Sequence, residues 1–337
     1  MDALAQGFGN VQQALFEGVL QPIMLALGMA NLLAEGYRAS GWLLVGLVQI
    51  GVMLLLFRAL ERWRPVEAVV DRAAVREDIL YTLIHRLGLF RVVLFLSVDP
   101  LWDAVVGQLR LAGWPTASLD DIWPGVTDQA WVAFLLYLVL FDAVDWLLHR
   151  AQHHFGWWWA LHALHHSQRQ MTLWSDNRNH LLDDLLRDSL FALLAIAIGV
   201  PPGQFVALVA VTQLIESLSH VNARLDFGPV FGRLLVSPHY HRVHHAIGIG
   251  HEASGPRGGP GTLGGCNFAV LFPIWDILGR TAHFDPPGTP DSPTGIRDQL
   301  DGRDYGRGFW AQQWLGLRRL VDRRAGLPAE GNGGTAV

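Results

Sequence analysis

The sequence predicts an all-α fold, a polytopic bundle of about four or more membrane helices capped on one face by a histidine-rich region. Three observations predict it. Apolar residues make up 51% of the 337 and charged residues only 16%, against about 25% in an average soluble domain. Several apolar runs approach the ~20 residues needed to cross a bilayer at about 1.5 Å each. Ten of the fifteen histidines fall in two short stretches, "HRAQHHFGWWWALHALHHSQ" at 149–168 and "PHYHRVHH" at 238–245.

The rest of the composition narrows the class. Fourteen tryptophans suit rings placed at a lipid–water boundary. A net charge of −5 gives no support to a nucleic-acid partner. All basic side chains are arginines, which reads as a compositional bias and not as chemistry. The lone Cys266 excludes an intramolecular disulfide and a cysteine-rich metal site. Asp2 and the absence of a basic segment near the start do not read as a cleaved signal peptide.

Along the chain, residues 18–34 form a borderline membrane run and 41–57 a convincing one, ending against Arg58, Arg62 and Arg64. The segment 79–98 is interrupted by His85, Arg86 and Arg91 and reads either as a crossing or as a tilted surface helix; 101–114 reads as interfacial. Residues 130–148 cross, with Asp142 and Asp145 inside the run, and 185–219 form two helices broken at "GVPPG", 199–203. After Pro273 the chain turns polar, and 309–324 reads as a short amphipathic helix lying on a surface. Three regions follow: 1–129 with N-terminal membrane helices and interfacial segments, 130–283 carrying the histidines, and a polar tail at 284–337.

Arg58–Arg76 is the densest short basic loop, so the positive-inside rule puts it in the cytosol. If 79–98 crosses outward and 130–148 returns, His149 emerges on the cytosolic side. The hairpin around Pro201 then delivers His220 to the same side, and parity gathers both histidine clusters at one membrane face.

Helical spacing groups the histidines further. His149 and His153 are four apart, His162 shares a face with His165 and His166, and His241 shares one with His244 and His245. Three such sets can surround a metal pair, whereas a lone histidine is more often a satisfied polar residue. His220, at the end of an apolar run with Glu216 one turn before it, is the candidate for an isolated ligand. His154, His180 and His239 are weaker candidates: His154 turns away from the 149/153 face and His239 departs from the spacing of the 241/244/245 set; His85, His251 and His283 show no partner pattern and read as non-ligands. A zinc hydrolase needs three protein ligands and a water. Eight or nine histidines exceed that and suit two metals in one cytosolic di-metal cap. Neutral imidazoles accept divalent iron, although affinity alone does not select iron over zinc.

Carboxylates in an apolar helix are costly unless used. Asp145, four before His149, reads as holding that imidazole through its second nitrogen, and Asp142 as anchoring a histidine from another helix. The plain alternative is a helix-terminal charge among headgroups. Glu216 reads as support to the site.

At this point the sequence resembles a known family. "DAVDWLLHRAQH" (142–153), "WWALHALHHS" (158–167), "HVN" (220–222), "SPHYHRVHH" (237–245), "CNFAVLFPIWDILGRT" (266–281) and "RNH" (178–180) look like the signatures of the sterol desaturase/fatty acid hydroxylase superfamily, over roughly 130–283. The resemblance implies an integral membrane di-iron oxygenase with a cytosolic catalytic face. It implies two iron ions held by His149, His153, His162, His165, His166, His220, His241, His244 and His245, O2 as co-substrate, and hydroxylation or desaturation of an unactivated C–H bond in a lipid. Electrons are expected from a separate donor, since no heme-binding or cysteine-based electron-transfer motif is seen. Ala269 and the glycine-rich insert 248–265 depart from the family pattern and bear on specificity. An ether-lipid-cleaving monooxygenase is another branch of the same superfamily. The rival readings are a membrane zinc hydrolase, which the ligand excess opposes, and a non-enzymatic metal-binding or transport protein, which would string its ligands along a path through the bilayer.

Overall fold

The computed structural model describes residues 2–114, 122–247, 265–285 and 292–326, with backbone alone at 2–5, 91–97 and 99. Among the described residues no strand occurs, and fourteen α-helices carry the chain. The first are α1 (Asp2–Leu15), α2 (Gln21–Ala26), α3 (Leu33–Val52) and α4 (Arg58–Trp63). A π-turn at Met53–Phe57 joins α3 to α4, so Ala30–Trp63 forms one apolar helix of 34 residues. The expected run 18–34 is broken before it, and only residues 30–34 enter this helix. Gly28, at φ +74°, ends α2 in the left-handed conformation that favours glycine, and Met29 N–H closes the turn on the Met24 carbonyl at 2.8 Å.

Helix α5 (Arg72–Arg86) starts at Asp71, whose carboxylate accepts from the Ala73 and Ala74 N–H groups, an N-cap. It stops at Leu87–Gly88, with Gly88 at φ +78°. α6 (Leu89–Leu111) then runs on through Pro100. The stretch 79–98 is therefore split between two helices at Gly88, and 101–111 continues α6.

Helix α7 (Ala130–His154) is 25 residues long and passes at Phe155 directly into α8 (Gly156–His166). α9 (Leu181–Ala197) and α10 (Pro202–Ser219) form the hairpin expected around Pro201. α11 (Gly228–Phe231), α12 (Pro238–His244), α13 (Ile274–Gly279) and α14 (Phe309–Val321) complete the chain. The 309–324 segment is thus a helix as expected. It lies against α8, where Arg319 Nε donates to the Ala160 carbonyl at 3.1 Å.

The core that positions the site lies between α7, α9 and α10. Phe141, Ala195, Leu208 and Leu271 are buried there, with Phe191 and Phe205 packed around them. Among the described residues two helices are long and apolar enough to cross a membrane, Ala30–Trp63 and Ala130–His154, and only 22% and 33% of their apolar windows are buried within the protein. A core helix of a soluble protein would hide that surface. Here Leu54, Leu55, Leu56, Trp131, Leu135 and Val139 face outward, as lipid-facing side chains do.

Candidate metal centre

Four helix ends converge at the centre. α7 presents His149 and His153 one turn apart, α8 presents His162, His165 and His166, and α12 presents His241 and His244, with His245 closing that helix. His220 closes α10. α12 is set by Ser237, whose Oγ accepts from the Tyr240 N–H at 3.1 Å, and by Pro238 at its first position. All nine rings are buried.

Within this cluster two groups of four could each hold a metal ion: His149, His153, His162 and His166, and His165, His220, His241 and His245. His244 joins His166 and His245 in a third group that overlaps both. Nε2 of His220 lies 3.2 Å from Nε2 of His165 and 3.1 Å from that of His241, which is 3.2 Å from Nε2 of His245. Nε2 atoms of His153 and His166 are 3.0 Å apart. An ion bound at about 2.1 Å sets its tetrahedral ligand nitrogens about 3.4 Å apart, so these spacings fit a shared ion.

Four rings are oriented by groups that only accept. His149 Nδ1–H donates to the Phe268 carbonyl at 2.8 Å, His244 Nδ1–H to the Cys266 carbonyl at 2.7 Å, and His220 Nδ1–H to the Glu216 carbonyl at 2.8 Å. His162 Nδ1–H donates to Asp183 Oδ2 at 3.0 Å. Each of these rings must then carry its free lone pair on Nε2. In His162 and His244 that Nε2 is buried without a hydrogen-bond partner. A buried polar atom left so is costly, and a metal ion is the partner this donor set fits.

Burial, followed by the neighbouring rings, holds the imidazoles of His165, His166, His241 and His245 well below the ordinary histidine range. Burial brings His244 down to about 3. The rings therefore stay neutral at pH 7, the form that binds metal.

The other sequence-derived candidates lie elsewhere. His154 is exposed and faces Phe155. His180 caps α9: its Nδ1 accepts from the Leu182 N–H at 3.1 Å, and its Nε2–H donates to the Gln313 carbonyl at 2.8 Å. His239 sits near Asp285 at 3.8 Å. None of the three enters a metal-capable group among the described residues. His85 approaches Asp184 at 3.3 Å and His283 pairs with Asp285 at 2.9 Å, while His251 and residues 248–264 of the insert lie outside the described residues.

The carboxylates take partners other than those their spacing predicts. Asp145 does share a helix face with His149, yet both its oxygens are taken by Arg187, at 2.9 and 2.6 Å. A guanidinium fork matches a carboxylate better than an imidazole does. Asp142 holds no histidine; it accepts from the Leu271 and Phe272 N–H groups and from Trp275 Nε1, fixing the chain that follows the centre. Glu216 reaches His220 through its backbone carbonyl, while its carboxylate lies 3.6 Å from Arg187. The carboxylate that orients a ring is Asp183, which sequence reasoning missed. An "HLLDDLL" acid pair opening an apolar helix was the available signal, but it reads equally as a favourable charge at a helix start.

Residues 134–281 match the fatty acid hydroxylase family. The chain is similar to the ornithine lipid hydroxylase OlsE of Rhizobium tropici, 28% identical over 70% of this chain and 63% of that one. It is also similar to the alkylglycerol monooxygenases of Caenorhabditis elegans, 28% identical over 48% of this chain and 29% of that one, and of Danio rerio, 30% identical over 35% and 26%. The matches span less than two thirds of the length of each of these relatives. No solved structure matches.

Proposed function

We propose that this chain, a member of the fatty acid hydroxylase/sterol desaturase superfamily, is an integral membrane di-iron oxygenase that hydroxylates or desaturates a C–H bond of a lipid. The observation that carries this reading is the pair of four-histidine groups joined through His166, His244 and His245. One zinc in a hydrolytic site would leave most of these ligands unused.

When bound, two irons supply O2 activation with two electrons from an external donor. The protein does the rest. Nine imidazoles would hold the pair; Asp183 and the carbonyls of Phe268, Cys266 and Glu216 aim four of them. The apolar packing of α7, α9 and α10 keeps bulk water from the reacting carbon. Lipid as the substrate class is supported by the relatives, a lipid hydroxylase and two alkylglycerol monooxygenases, and by the apolar outer faces of α3, the Met53–Phe57 turn and α7. We place the α9–α10 hairpin in the bilayer beside those helices, with the metal centre on the cytoplasmic side near the basic loop Arg58–Arg76.

Metal content by mass spectrometry on untagged, detergent-purified protein expressed with iron available tests the reading. About two irons per chain, together with an oxygen-dependent lipid product, is the expected result. Protein purified with zinc should take up iron on reconstitution and gain activity. A folded protein that takes up no metal overturns the proposal.

A further inference from the structure

Beside the histidines lies a small chamber, lined among others by His149, His162, His165 and His220. A second pocket lies between α7, α9 and α10; Phe141, Phe191, Phe205, Leu208 and Val209 form its apolar wall, and Asp142, Asp188, Thr212 and Gln213 also line it. Three side chains line both: Asp145, Arg187 and Glu216. They form the neck between an apolar cavity and the metal chamber.

The neck is not hydrogen-bonded to saturation. Arg187 commits Nε and Nη2 to Asp145, and its guanidinium lies 5.5 Å over the Phe191 ring. Among the described residues its Nη1 has no hydrogen-bond partner, and the Glu216 carboxylate accepts no hydrogen bond, reaching only Arg187 at 3.6 Å. A donor and an acceptor with spare capacity therefore stand together at the junction of the two pockets. A plain alkyl chain threading the neck would strip water from both and return nothing. A group that both accepts and donates would replace that water.

Resting on the lipid-oxygenase reading above, we propose that Arg187 and Glu216 are a specificity-determining pair that binds a hydroxyl or amide group of the substrate. The oxygen of that group accepts from Arg187 Nη1 and its O–H or N–H donates to Glu216. The alkyl chain fills the apolar cavity, and the carbon that is oxidised lies a few bonds from the polar group, not in the middle of the chain. Sites built to hydrogen-bond a substrate group discriminate strongly against analogues that lack it.

The test is binding to the full-length, iron-loaded protein in detergent without oxygen, using radiolabelled 1-hexadecanol, hexadecanamide and hexadecane. Hexadecanol and hexadecanamide should bind at least tenfold more tightly than hexadecane. Glu216→Leu should erase that preference, and Glu216→Gln, which keeps an acceptor, should retain most of the hexadecanol affinity. Leu208→Trp, filling the apolar cavity, should weaken both polar probes at least tenfold and leave metal content unchanged. Equal binding of hexadecane and hexadecanol, or a preference that survives Glu216→Leu, overturns the inference. Because the binding is read without turnover, it separates from the parent reading, which fails on missing metal or missing oxygen-dependent product.

Discussion

The Asp183 carboxylate stands 3.0 Å from Nδ1 of His162 with one oxygen, while the other accepts from Gln152 Nε2 at 2.8 Å and Trp158 Nε1 at 2.6 Å. One side chain from α9 thus ties α7 and α8 together and fixes the tautomer of a ring that points at the centre. Partners of this kind contribute to metal binding almost as ligands do.

Replacing Asp183 by Ala should therefore weaken metal binding about 10- to 100-fold, read by competition with a chelator. Asp183→Asn, which can still accept from His162, should lose less. Unchanged affinity in both variants would show that His162 is held by packing alone.

His165→Ala and His244→Ala should each lose bound metal and oxygenase activity while the protein still inserts into membranes. His283, with a side chain 47% exposed and paired with Asp285, is the control, and His283→Ala should keep both properties. Metal analysis and a lipid-product assay on the three variants decide the point.

Asp276 is fully buried and accepts from Trp146 Nε1, Tyr240 Oη, Thr281 Oγ1 and the N–H groups of Phe268 and Ala269. Asp276→Ala leaves those donors unpaired and frees the chain whose Phe268 carbonyl holds His149. A loss of about 3 kcal/mol or more is expected, seen as a lower denaturation midpoint and reduced metal occupancy.

The depressed imidazoles give the metal-free protein a pH dependence with a defined sign. His244 falls from about 6.5 in an unfolded chain to about 3 in the fold, with His165, His166, His241 and His245 shifted the same way. Between those values the unfolded chain binds more protons, so this stabilisation is complete above about 6.5 and is lost progressively toward pH 3. Thermal midpoints of metal-free protein should drop between pH 7 and pH 5. The His244→Ala variant should show a shallower drop, and equal slopes would remove His244 from this account.

The amino-acid sequence by itself determined which rings could face one another along a helix. His149 with His153, His162 with His165 and His166, and His241 with His244 and His245 are related by the 3.6-residue period, and α7, α8 and α12 with its closing residue realise that geometry. Apolar runs likewise sufficed for α7 and for the α9–α10 hairpin, because hydrophobic pattern and a proline break are local signals. Gly28 and Gly88 turned two apparently continuous runs into separate helices, a choice made by backbone conformation and not by hydropathy. Only the tertiary structure decided what each carboxylate does. Asp145 and Asp183 read alike in one dimension, yet Arg187 claims the first and His162 the second. Hydrogen-bond partners are selected by proximity in space, and packing between helices brings Asp183 to His162 from 21 residues away while sequence spacing had pointed to Asp145.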